Sequence, residues 1–134
     1  MIPILISAFA LLLLVGLFWI IWFRLRPRKL KVTRFQTKWQ ELQKKCANKD
    51  LWNQVVVDAD DLLGEALKKK HVRGHTIGER LVNVQRDLTD NDAVWFAHKL
   101  RNKIDADPSI KLKESDVKQA LIGVRQALKD LGAL

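Results

Sequence analysis

The sequence predicts an all-α protein: an N-terminal transmembrane helix followed by a helical bundle of about five helices. Three observations predict it. Residues 1–23 contain no charged side chain. Residues 32–134 repeat apolar side chains at spacings of three and four in five successive stretches, the pattern of helices with one buried face. No stretch of useful length alternates apolar and polar residues, so no strand is expected. The 134 residues have room for about one folded domain.

The first element is IPILISAFALLLLVGLFWIIWF, residues 2–23. At ~1.5 Å per residue it spans roughly 33 Å, close to the hydrocarbon thickness of a bilayer. Trp19 and Trp22 lie near its C-terminal end, where indole rings favour the membrane interface. A cleaved signal peptide would need a positive n-region and a small-residue cleavage site, and neither is present. Basic residues appear only after the span, so the positive-inside rule puts the N-terminus outside and the rest in the cytoplasm. The expected organisation is therefore a single-pass anchor in the cell membrane (1–23), a basic juxtamembrane linker (24–31) and a cytoplasmic bundle (32–134). The linker and the residues after it read RLRPRKLKVTR, with Arg24, Arg26, Arg28, Lys29, Lys31 and Arg34 and no acid. These charges suffice to set topology. The first five are also candidates for contact with lipid headgroups, at ~1 kcal/mol each near an anionic surface. Pro27 is expected to interrupt the helix below the membrane.

The bundle elements follow in order. Val32, Phe35, Trp39, Leu42 and Cys46 form the stripe of its first helix. The second runs from about Leu51 to Lys70, with Trp52, Val55, Val56, Ala59, Leu62, Leu63, Ala66 and Leu67 on one face and Asp50 as its expected N-cap. KKKHVRGHTIGER is a connection punctuated by Gly74, and Thr76 with Glu79 makes the capping box of a third helix through Leu81, Val84 and Leu88. TDND, residues 89–92, is a turn rich in capping side chains. A fourth helix carries Val94, Trp95, Ala97, Leu100, Arg101 and Ile104, and ends before Pro108. The last runs from about Ser115 to Leu131 on Val117, Ala120, Leu121, Val124, Leu128 and Leu131, with Gly132 as its stop signal.

Composition narrows the chemistry. The formal charge is +9, but removing the six basic residues of 24–34 leaves 18 basic against 15 acidic residues in 35–134. That weakens a nucleic-acid reading based on overall charge, which needs cations concentrated on the folded domain. Trp39, Trp52 and Trp95 fall on apolar stripes and are assigned to the core rather than to base stacking. Cys46 is the only cysteine and has no internal disulfide partner, which suits a reducing compartment. No metal site is expected: His71 and His75 are separated by a glycine-containing connection. No cofactor is expected either, since none of the six glycines forms a phosphate-binding loop. Asp58, Asp60 and Asp61 read as a solvated acidic face in which Asp58 and Asp61 align and Asp60 points elsewhere. The alternative is that one of them pairs with a basic residue on a neighbouring helix.

VWFAHKLRNKIDADP, residues 94–108, together with DADDLLGEALKKKHVRGHTIGERL and the terminal ALKDLGAL, resembles the HEPN superfamily of helical-bundle domains. More narrowly it resembles small bacterial proteins with an N-terminal membrane helix. The resemblance covers roughly residues 50–134. It implies a motif of Arg, a polar residue and, three to five residues on, His. The imidazole would act on an RNA 2′-hydroxyl while the arginine and polar residue stabilise phosphate charge, and two motifs would meet across a homodimer. Arg101 and Asn102 match the start. The histidine would fall at Ala106, Asp107 or Pro108, and none is histidine. Asp105 and Asp107 are poor substitutes, since ionised carboxylates repel phosphate. His98 lies one turn before Arg101, in reversed order. Loss of a general acid–base costs ~10²–10⁴ in rate. The expectation is therefore a membrane-anchored, non-catalytic HEPN-like interaction domain with His98, Arg101, Asn102 and Asp105 as its binding surface. The bilayer, a second copy, and RNA or a protein are the expected partners. The alternative is a membrane-tethered ribonuclease that uses His98 with Arg101.

Overall fold

Residues 1–25 and 29–134 are described by the computed structural model of the chain, and among them all regular structure is helical. Pro27, and with it the expected helix interruption, lies outside the described residues. Helix α1 (Ile2–Leu25) carries no buried residue and is long and apolar enough to cross a bilayer. Its C-terminal half pairs rings one turn apart, Phe18 with Trp22 and Trp19 with Phe23.

Five further α-helices follow: α2 (Val32–Lys45), α3 (Trp52–Lys69), α4 (Ile77–Val84), α5 (Asn91–Ala106) and α6 (Glu114–Asp130). Short 3₁₀ turns at Lys49–Leu51 and Gln85–Asp87 precede α3 and follow α4. The expected stripes form most of the core. Phe35, Leu63, Leu67, Leu81 and Leu128 are fully enclosed, each contributing roughly 1.5–3 kcal/mol by leaving water. Trp39 is buried, whereas Trp52 and Trp95 pack against the core from its rim.

Several local expectations are corrected. Val32 is exposed at the first turn of α2, and Cys46 is half-buried at its C-cap. Burial pushes the Cys46 thiol up, so it stays protonated near neutral pH and is a weak nucleophile. Asp50 does not cap α3. Asn48 accepts from the Asp50 amide instead, and the chain enters α3 through the 3₁₀ turn, leaving α3 without a side-chain cap. The third bundle helix ends at Val84, and Leu88 reaches the core beyond a 3₁₀ turn rather than on the helix. Other signals act as their chemistry dictates. Thr76 accepts from the Glu79 amide while the Glu79 carboxylate accepts from the His75 amide. Asp90 caps α5 through the Ala93 amide.

Contacts between helices fix their directions. Arg34 with Glu65 and Lys45 with Asp58 run α2 antiparallel to α3. His98 with Asp60, and Asn53 bonded to the carbonyls of Pro108 and Ile110, run α5 antiparallel to α3. Gly123 against Ala93, and Asp130 accepting from the Thr89 amide and hydroxyl, do the same for α5 and α6. One end of the bundle therefore gathers the start of α2, the end of α3, the start of α5 and the end of α6.

Two helices finish with the same pair of backbone bonds. After α6, the amides of Gly132 and Ala133 reach the carbonyls of Lys129 and Leu128, with Gly132 at φ 79°. After α3, the amides of His71 and Val72 reach the carbonyls of Lys68 and Leu67, with His71 at φ 58°. The left-handed turn of this motif ordinarily takes glycine.

Candidate functional site

The residues singled out on the fourth bundle helix are placed by α5, and the group they meet is on α3. Asp60 falls four residues after Val56 and three before Leu63, which puts it on the buried stripe of α3. It is completely buried and is the only charged residue in the core among the described residues. Its Oδ2 lies 3.0 Å from His98 Nδ1 and 3.1 Å from an Nη of Arg101. The same Nη donates to Asp61 Oδ1 at 2.8 Å, and Arg101 Nε donates to Asp105 Oδ2 at 2.7 Å. Five of the acidic and basic groups named from the sequence, Asp60, Asp61, His98, Arg101 and Asp105, thus form one cluster across the α3–α5 seam.

The solvated-face reading of the aspartates is corrected for Asp60. An ionised carboxylate on that stripe is costly to bury unless cations or hydrogen-bond donors come to it, and His98 and Arg101 do. Asp61 remains half-exposed on the rim. Asp58 lies apart from the cluster, accepting from Gln54 and facing Lys45 across the α2–α3 contact. Asn102, expected beside Arg101, is exposed and takes no part in the cluster. It follows Arg101 by one residue, so it points about 100° away around the helix.

The electrostatics are those of a cation held by an excess of anions. Burial alone would lower the Arg101 pKa, but hydrogen bonds to Asp61 and Asp60, the charge of Asp61 and the bond to Asp105 hold it above the ordinary arginine value. Three carboxylates surround one guanidinium and one imidazole. The cluster is therefore net negative whether His98 is neutral or protonated.

The His98 ring is enclosed on its other sides. Trp95 meets it edge-on at 5.8 Å between centroids. Gly78 of α4 covers its far nitrogen, where an added Cβ would stand only 3.4 Å from Nε2. A carboxylate on Nδ1 that frees Nε2 for proton transfer is the arrangement of a catalytic dyad. Here Nε2 faces a helix backbone, and the imidazole is only 13% exposed. Asp60 Oδ1 is buried with no hydrogen-bond partner.

Sequence reasoning undervalued Asp60, although its position was a usable signal: a single carboxylate in register with Val56, Leu63 and Leu67. Of the residues assigned to lipid contact, Arg24 lies in the last turn of α1, Lys29 and Lys31 are exposed before α2, and Arg26 and Arg28 lie outside the described residues. Among the described residues, no three His, Cys, Asp or Glu side chains converge as metal ligands. Comparison of the chain with protein-family models, curated proteins and solved structures returns no match.

Proposed function

We propose that the chain is a single-pass membrane protein whose HEPN-like bundle lies on the cytoplasmic side and acts by binding, without cutting RNA. One observation carries the non-catalytic part: the Arg101 guanidinium is already committed to Asp60, Asp61 and Asp105. A phosphate would have to displace carboxylates from Arg101 inside a net-negative cluster. With Ala106 where the resemblance places histidine, one half of the expected chemistry lacks its group and the other half has its arginine occupied. Support for the anchored part is α1, with its apolar length and the basic residues that follow it. The resemblance supplies a second copy of the chain as one partner, and the mass of the detergent-solubilised chain tests it.

The competing reading is the tethered ribonuclease, and one observation favours it: His98 and Arg101 share the Asp60 carboxylate. The full chain in phosphatidylcholine vesicles, incubated with mixed single-stranded RNA, separates the two. The binding reading expects cleavage no faster than in protein-free vesicles. RNA cleavage abolished by both His98→Ala and Arg101→Ala would establish the nuclease. Resistance of the chain to alkaline extraction, with the bundle digested only when the cytoplasmic face is open to protease, is the expected result for anchoring and orientation.

A further inference from the structure

We infer that the α2–α3 corner of the bundle is a docking surface for anionic phospholipid headgroups, formed by Lys68, Lys70 and Arg73 together with Lys29 and Lys31. The inference rests on the anchored reading above and adds to it an orientation: the bundle lies against the membrane that holds α1.

The first support is the local charge. Residues 66–78 contain Lys68, Lys69, Lys70 and Arg73, with His71 and His75, and no acid. The next acid, Glu79, is occupied by the His75 amide at the start of α4. Lys68, His71, Arg73 and His75 are exposed. Among the described residues, Lys29, Lys31, Lys68, Lys70 and Arg73 enter no ion pair, in contrast to Arg34, Lys38 and Lys69, which converge on Glu65.

The second support is placement. Glu65 binds Arg34 at 2.7 Å, Lys38 at 3.1 Å and Lys69 at 3.3 Å, and the Lys69 ammonium sits 5.8 Å from the centre of the Phe35 ring. These contacts bring the basic end of α3 beside the first turn of α2. Six residues separate Leu25 from Val32, which bounds the distance between those helix ends at about 25 Å whatever path the chain takes. The free cations of α3 are thus held within reach of the surface that α1 enters.

The third support is contrast. The α5–α6 side of the same bundle end carries Asp87, Asp90, Asp92 and Asp130 against Arg86 and Lys129, an excess of acid. An anionic surface attracts one side of that end and repels the other, so the bundle leans on the α2–α3 corner. RNA would be drawn to the same cations. The tether favours lipid, because it fixes a high local concentration of headgroups that free RNA does not have.

The test uses the full chain with Cys46→Ser and a fluorophore attached through His75→Cys, in vesicles that contain a headgroup-spin-labelled quencher lipid. Quenching is expected to rise severalfold when about a third of the phosphatidylcholine is replaced by phosphatidylglycerol, each free cation multiplying the docked population roughly fivefold. Lys68→Gln/Lys70→Gln/Arg73→Gln, which leaves Lys29 and Lys31 in place, should remove most of that rise. So should about 0.5 M salt, which needs no mutation. A fluorophore at the other end of the bundle, through Lys111→Cys, should not respond. A chain that floats with the vesicles but is quenched equally in both lipids refutes the docking and leaves the anchor intact. A chain released by alkaline extraction refutes the anchor and the docking with it. If the triple substitution leaves quenching unchanged but abolishes retention of labelled RNA, the surface belongs to RNA and the lipid assignment is wrong.

Discussion

Helix α5 meets its two main neighbours by different physics. Toward α6 the contact is one of shape. Gly123 lets the backbones approach so closely that an added Cβ would stand 2.5 Å from the Ala93 carbonyl oxygen. Toward α3 the contact includes charge, with Asp60 enclosed by apolar residues and answered by His98 and Arg101. The first seam is intolerant of added volume. The second is intolerant of losing a partner, because an unpaired buried charge costs far more than the pair contributes. Register between α3 and α5 is thereby fixed by a few atoms, whereas register between α5 and α6 rests on surface fit.

The largest expected effect breaks the charged seam. Asp60→Ala should destabilise the chain by about 3–4 kcal/mol in urea unfolding, by leaving His98 and Arg101 without their shared carboxylate. Replacing Asp60, His98 and Arg101 together by leucine should recover most of that loss. A loss below about 1 kcal/mol for Asp60→Ala would show the cluster behaving as a surface network and would remove the contrast. Next, Gly123→Ala should cost about 1–3 kcal/mol by overpacking, even though alanine favours a helix over glycine by ~1 kcal/mol. A gain in stability would mean that α5 and α6 separate freely. Away from both seams, His71→Gly should stabilise by about 1 kcal/mol, since a left-handed residue with a Cβ is strained by ~1–2 kcal/mol. Gly132 already shows glycine in the equivalent turn.

Acidification is expected to act through smaller contributions. Burial would raise the Glu65 pKa, but bonds to Lys38 and Lys69 and the charges of Lys38 and Arg34 leave it lowered from 4.5. Burial would likewise raise that of Asp130, but Thr89 and Gln126 leave it lowered from 3.8. A depressed folded pKa stabilises above the unfolded value, and that stability is lost as pH falls through the folded value. Unfolding monitored from pH 6 downward should therefore show loss beginning near 4.5, with each group contributing less than about 1 kcal/mol. The smallest effect is Asp105→Ala, a few tenths of a kcal/mol, because the pair it forms with Arg101 is of the exposed i,i+4 kind. A large loss there would move the weight of the charged seam from its buried carboxylate to its rim.

The sequence was most legible where structure is local. The apolar stripes, the Thr76–Glu79 cap, the end of α5 ahead of Pro108 and the turn at Gly132 each depend on residues within a few positions of one another. The failures are of two kinds. At helix entries, Asn48 competes with Asp50 for the same role and the backbone settles the choice through a 3₁₀ turn. At the site, the partners of Asp60 lie 38 and 41 residues away, so spacing along one helix left cross-helix pairing as an alternative to the solvated face and could not choose between them. His98, Arg101 and Asp105 were visible as neighbours on α5. That the first two converge on α3 is a property of the packing, as is the exclusion of Asn102.

The three lysines at the end of α3 have a further consequence. Lys68 and Lys69 occupy the last helical turn and Lys70 its C-cap, where the carbonyl ends of the aligned peptide dipoles concentrate negative charge. Cations there stabilise a helix by about 0.3–1 kcal/mol each at low salt. The basic edge thus completes the helix macrodipole with or without a bilayer, and a membrane would make second use of charge that folding already retains.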